Sequence, residues 1–317
     1  MLTDVILLWD ELRAESSSVG KHMERLVRPD SEVEIVLGAG GDQCALSVSA
    51  VFPADWNKTV RLPNCLTCSL MQDRSFQTAR FQLRDDVFED IFIWFSQDVV
   101  NRLESCSVES AVQVLQDALA EWEEAFMIQP DRGMSRQAQQ GLFAEIFFLK
   151  EILLCEHPEE GLLGWHSQNS VHDFQIGEAA WEVKSFGGRR MEVRISSEDQ
   201  LDYVGLETLV LAVVGLKVSE EAGASVTDIV GQLVRKVGNN REQLMHLKTG
   251  LAKYGYIDES SVIQKYLFTP RSVFEYAVTD GFPRITSRNI PSAVHDVKYT
   301  LSLGSLETHL IKPVIEY

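Results

Sequence analysis

The stretch HDFQIGEAAWEVKSF, residues 172–186, gathers Asp173, Glu182 and Lys184 within one candidate hairpin. Gly177 at the first turn position suits a two-residue type II′ turn, because it takes φ > 0 without a Cβ clash. The register then pairs Ile176 with Ala179, Gln175 with Ala180, Phe174 with Trp181 and Asp173 with Glu182. Period-two alternation puts Phe174, Ile176, Ala179, Trp181 and Val183 on one face, and Asp173, Gln175, Glu182 and Lys184 on the other. Like charges directly opposite each other cost from a few tenths to ~1 kcal/mol, so something must compensate. Two compensations are open. Either the face is solvated and Lys184 neutralises the pair, or a divalent cation sits between the carboxylates. Mg²⁺ suits the second, since it binds through one or two carboxylates plus substrate phosphate.

A helix is predicted over 136–154, just ahead of the hairpin. On a 3.6-residue wheel Glu145 is flanked by Gly141, Leu142, Phe148, Leu149 and Ile152, and the opposite side carries Phe143, Ile146, Phe147 and Leu154. A helix apolar almost all round is buried, and a buried carboxylate needs a partner. A cation site beside the hairpin supplies one; a buried Lys or Arg elsewhere would do so without any function.

From residue 136 the elements run helix, strand (VHDFQI), strand (AAWEVKSF), strand (MEVRIS), short helix (SEDQL) and strand (TLVLAVVGLKV), an α-β-β-β-α-β order. The last strand is nearly continuous in Leu and Val, as in a central strand covered on both faces. SVTDIVGQLVRKV opens a helix with Ser225 placed to cap it and Asp228 at the third helical position. Upstream, a helix (VILLWDELRA) precedes a strand-rich region (VEIVLG, CALSVSAVF, SFQTARFQLRD) and two helices (VFEDIFIWFSQDVVNRLES, SAVQVLQDALAEWEEAF). LGAGGDQ lies between strands, where a hairpin loop is expected; a phosphate loop leads from a strand into a helix. Pro130 and Gly133 break the pattern and mark a boundary. The expected domains are 1–130, strand-rich then helical; 131–220, the core; and 221–317, a C-terminal α+β extension.

The 317 residues carry a net charge of −18, which excludes a wholesale basic coat for nucleic acid. Local sources of phosphate contact are Arg189, Arg190 and Arg194. Arg235, Lys236, Arg241, Lys248 and Lys253 read as a solvated helix face. Five cysteines, with Cys65-x-x-Cys68 lacking the second pair a zinc site needs, fit a reducing cytoplasm. The start MLTDVILLWDEL has no basic leader, and no apolar run approaches the ~20 residues that span a bilayer. A cytoplasmic protein is expected.

Asp173 followed by Glu182-Val183-Lys184, with Glu145 on the preceding helix, resembles the core of the PD-(D/E)XK nuclease superfamily. GLFAEIFFLKEILL, HDF, WEVKS, ISSEDQL and FPRI are similar to a family of bacterial PD-(D/E)XK motif proteins of unassigned activity, whose members occur near restriction and phage-defence genes. The likeness is strongest over 135–218. It implies an α/β (α+β) fold with a restriction-endonuclease-like αβββαβ core and a mixed central sheet. It implies Mg²⁺, with Mn²⁺ as substitute, held by Asp173, Glu182 and the Val183 carbonyl. Lys184 then orients or activates water, Glu145 completes the outer shell, and Gln200 and His172 support the site. His172 stands where the superfamily's name has proline, and a histidine at a strand start is expected at the surface.

The function implied is Mg²⁺-dependent phosphodiester hydrolysis of DNA in a bacterial defence system, with protein partners and a dimer compatible. The alternative is a catalytically silent nuclease-fold subunit that binds partners through its acidic surface. An unrelated small-molecule site finds no support, because no Gly-x-Ser-x-Gly is present.

Overall fold

Alternating apolar and polar residues pull the first part of the chain into an antiparallel sheet, and a nearly unbroken Leu/Val run organises the second. A computed structural model of the protein describes residues 5–27, 32–40, 43–53, 56, 62, 65–73, 76–84, 88–127, 134–166, 170–188, 190–238, 240–256, 266–291, 293–311 and 315–316; Arg189 lies outside them. The chain forms two compact units, Met1–Arg132 with Leu251–Glu259, and Gly133–Gly250 with Ser260–Tyr317.

In the first unit α1 (Val5–Val19) is followed by β1 (Met23–Leu26), β2 (Glu34–Gly40), β3 (Gln43–Ala50), β4 (Leu66–Asp73) and β5 (Phe76–Leu83), then by α2 (Glu89–Leu103) and α3 (Ala111–Met127). The strands lie in the order β1-β2-β3-β5-β4, every neighbour antiparallel. Pairing of β2 with β3 runs on to Gly40↔Gln43, so the glycine-rich stretch joins two strands of a hairpin. Trp9, Phe81, Phe92, Phe95 and Trp122 fill the core. At its rim Arg102 reaches both oxygens of Glu121, at 2.9 and 2.5 Å, and Asp98 at 3.0 Å. Lys253, expected on a solvated helix face, is instead buried and bonds Glu121 at 3.0 Å, and the Trp122 indole donates to Asp98 at 2.8 Å.

The second unit begins with α4 (Arg136–Phe148), capped by Ser135, whose hydroxyl accepts the Ala138 N–H. The helix widens into a π turn over Leu149–Leu153 and ends with a short helical turn, Leu154–Glu156. There follow β6 (Phe174–Ile176), β7 (Ala179–Phe186), β8 (Glu192–Ile195), β9 (Thr208–Ser219), α5 (Val226–Val237), α6 (Arg241–Lys253, whose residues from Leu251 on count with the first unit), β10 (Leu267–Ala277), β11 (Tyr299–Ser302) and β12 (Ile315–Glu316). The sheet order is β12-β10-β9-β7-β6, with β7 and β9 parallel and the other pairs antiparallel, a mixed sheet. The α/β fold class thus stands as expected.

One detail of the expected core is corrected: residues 197–201 form bends and a turn, without the short helix. Gln200 explains it, since its side-chain oxygen accepts the Ser196 N–H at 2.8 Å and folds the chain back onto the end of β8. β8 pairs with β11 in a separate ribbon. Val193, Ile195 and Leu301 of that ribbon pack on Ala180, Leu209, Leu211 and Val213. Glu182 and Lys184 share this covered face, because Ala180, Glu182 and Lys184 alternate along β7. Phe148 of α4 lies 6.1 Å from Phe174, on the other face.

Candidate active site

The hairpin forms in the expected register from Ile176↔Ala179 to Phe174↔Trp181. Gly177 has φ 60° while Glu178 does not enter the positive-φ region, as a type II′ turn requires. The ladder then stops. Asp173 stands in a bend before β6, its carbonyl accepting the His166 N–H at 2.8 Å and its side chain accepting the Val183 N–H at 2.7 Å. The acidic group thus spends one oxygen on the backbone of the opposite strand, one residue beyond Glu182.

Glu182 is fully buried. The Lys184 ammonium bonds its Oε1, while Oε2 is buried with no hydrogen-bond partner among the described residues. Burial, and then the charge of Asp173, push the Glu182 carboxyl well above the usual carboxylate range. Burial also raises Asp173, against the pull of Lys184 and the Val183 amide. For Lys184 burial favours the neutral form, but the carboxylates of Glu182 and Asp173 outweigh it and raise the ammonium's pKa. Glu145 on α4 is buried, accepts the Trp165 indole N–H at 3.0 Å, and its charge acts on both Glu182 and Lys184. The structure therefore brings Asp173, Glu182 and Lys184 together, with Glu145 near enough for its charge to act on Glu182 and Lys184.

Other residues fall differently. His172 is buried, not at the surface as expected for a strand start: a bond to the Asp202 backbone holds it, burial lowers its pKa, and its Nε2 has no partner among the described residues. Gln200 fastens the 196–200 turn. Arg190 is exposed. Arg194 is exposed too, on the face of β8 opposite Val193 and Ile195. Two participants escaped the sequence reading. Gln140 of α4 donates to Ser185 at 3.1 Å, and Trp165 sits in an irregular stretch with no period to mark it.

Among the described residues no three His, Cys, Asp or Glu side chains form a ready-made metal cluster. The donor set still fits a hard cation that takes one or two carboxylates and fills its remaining positions with water or phosphate. The orphaned Oε2 of Glu182 supports that fit, because a dry carboxylate oxygen without a donor is costly to leave unmatched.

A mixed sheet carrying an acidic residue at the entry to one strand and Glu-x-Lys on the next is the PD-(D/E)XK class of architecture. The chain matches a family model described as "Putative PD-(D/E)XK family member, (DUF4420)" over residues 5–304, and it belongs to that family. Comparison with curated proteins and with solved structures returned no match.

Proposed function

We propose that the protein is a Mg²⁺-dependent nuclease that hydrolyses phosphodiester bonds of DNA. The observation that carries this is Glu182: a fully buried carboxylate, one oxygen held by Lys184 and the other without a partner, next to a second acidic group. Asp173, Glu182 and the Val183 carbonyl would hold the metal. When bound, Mg²⁺ or Mn²⁺ lowers the pKa of a coordinated water and offsets charge at the phosphorus centre.

The chain's own residues divide the remaining work. Asp173 is anchored by the Val183 N–H, which fixes one oxygen and leaves the other to bind. Lys184 supplies a half-buried ammonium that orients water and stabilises the charge developing on phosphate. Glu145 adds negative charge behind the ligands and holds water in the outer shell.

Both units are net acidic, so a nucleic-acid substrate would be held by local basic contacts. The first unit carries 25 acidic against 12 basic residues, while the unit with the site carries 22 against 17. Most of the acidity therefore lies in the unit without the site, and Arg190 and Arg194 remain exposed for phosphate contact. A place in bacterial defence, with partner proteins, rests on the family resemblance.

The test is incubation of full-length protein with plasmid and linear DNA in Mg²⁺ or Mn²⁺. Cleavage is expected, and Glu182→Ala and Lys184→Ala should each lower it by at least ~10³-fold. Unchanged activity in both variants overturns the assignment of this site and points to another site or a contaminant, and no activity in the wild type leaves the silent subunit.

A further inference from the structure

Trp165 is 1% exposed, and its indole N–H meets the Glu145 carboxylate. Its main chain is tied to the hairpin as well. Trp165 bridges Phe174 in antiparallel fashion, the Gly164 carbonyl accepts the Gln175 N–H at 2.8 Å, and the next residue, His166, donates to the Asp173 carbonyl. Residues 164–166 thus run as a strip along β6 and tie down the backbone that presents Asp173.

Two glycines make room for this arrangement. A Cβ on Gly250 of α6 would lie 2.5 Å from the Trp165 ring, and one on Gly164 would lie 2.5 Å from the Gln175 carbonyl oxygen. His246, one helical turn before Gly250, meets the Trp165 carbonyl at 2.8 Å. The indole is therefore fixed by its ring, its carbonyl and its neighbours' amides at once.

We propose that Trp165 is a positioning residue of the site, its indole fixing the Glu145 carboxylate and its main chain fixing Asp173. The proposal rests on the nuclease reading above. A core tryptophan needs an acceptor for its N–H, and a backbone carbonyl would serve. A carboxylate as acceptor has a different consequence: a neutral donor orients the group without cancelling its charge, whereas a guanidinium would cancel it. Negative charge held in a fixed direction is what a cation site needs from its outer shell.

The test is calorimetric titration of full-length protein with Mn²⁺ alone. Trp165→Phe keeps a ring over Gly250 and removes the N–H. It should weaken Mn²⁺ binding by ~10–100-fold, the range for outer-shell partners, and Glu145→Gln should do the same. The double variant should bind within ~2-fold of Glu145→Gln alone, since both changes break one path. A tryptophan with only a packing role would lower the melting temperature and leave Mn²⁺ affinity unchanged, which overturns the proposal while the nuclease reading stands. Wild-type protein that binds no Mn²⁺ through Asp173 and Glu182 sinks both. If Trp165→Phe does not fold, the Trp165 indole ¹H–¹⁵N resonance of the wild type decides: it shifts on Mg²⁺ addition, or the proposal fails.

Discussion

Asp98, Arg102, Glu121 and Lys253 in the first unit and Glu145, Asp173, Glu182 and Lys184 in the second are comparable sets of largely buried charge. The first set holds two carboxylates against two cations, and both carboxylates take bonds from them or from Trp122. The second holds three carboxylates against one ammonium and leaves Glu182 Oε2 unmatched. Their titration follows. Glu121 is held at about 2, because Arg102 and Lys253 overcome the opposing effect of burial. Glu182 moves the other way, since burial and Asp173 outweigh its single ammonium. The first set satisfies its own charges, whereas the second keeps an excess of negative charge and an orphaned oxygen, the feature on which the proposed metal site rests.

The contrast can be broken experimentally, most sharply in the first unit. Arg102→Met leaves Asp98 and Glu121 with Lys253 and the Trp122 indole and should cost about 2 kcal/mol in urea unfolding, discounted from a fully buried pair because the guanidinium is partly exposed. A loss below ~0.5 kcal/mol would mean the set fastens nothing. Acid tests the same pairings. A carboxyl held at about 2 in the fold and near 4.5 when unfolded adds stability above pH 4.5 that drains away as pH falls toward 2. After allowance for a side chain one-third exposed, about 1–2 kcal/mol should go over that interval, and Glu121→Gln should flatten the slope. In the second unit the sign reverses. A raised Glu182 carboxyl favours the fold below pH 4.5 and costs stability as pH climbs. Glu182→Gln should therefore raise metal-free stability at pH 7 by about 1 kcal/mol, read as a higher urea midpoint. A lower midpoint would place Glu182 in the fastening class.

The parts of this molecule visible in its sequence are those written in local periodicity. Gly177 and the alternation around it marked the β6–β7 register, Ser225 and Asp228 form the expected capping box, and the Leu/Val run of β9 is a central strand. β1 and β4 are absent from the sequence-based expectation: both are edge strands, β1 is only four residues long, and the alternation in β4 (Leu66, Cys68, Leu70) is short and set among small polar side chains. The β8–β11 ribbon pairs Glu192 with Ser302, more than a hundred residues apart, and no local pattern encodes such a match. In the site, charged type and spacing mark Asp173, Glu182 and Lys184. The burial of His172 and the Trp165 bond depend on side chains packed from distant elements, and residue order alone does not specify them.

The type II′ hairpin has a consequence for how the molecule comes together. The bond from Val183 to Asp173 closes a loop of only ten residues, so bringing the two acidic positions side by side costs little chain entropy. Their desolvation is another matter, for it depends on β9 pairing alongside β7 and on the ribbon completed by Tyr299–Ser302. Those closures are long and entropically dear, and such non-local pairing is slow. An emerging chain can thus carry the acidic pair in open water, where the two groups repel weakly, long before the last strands arrive to dehydrate it.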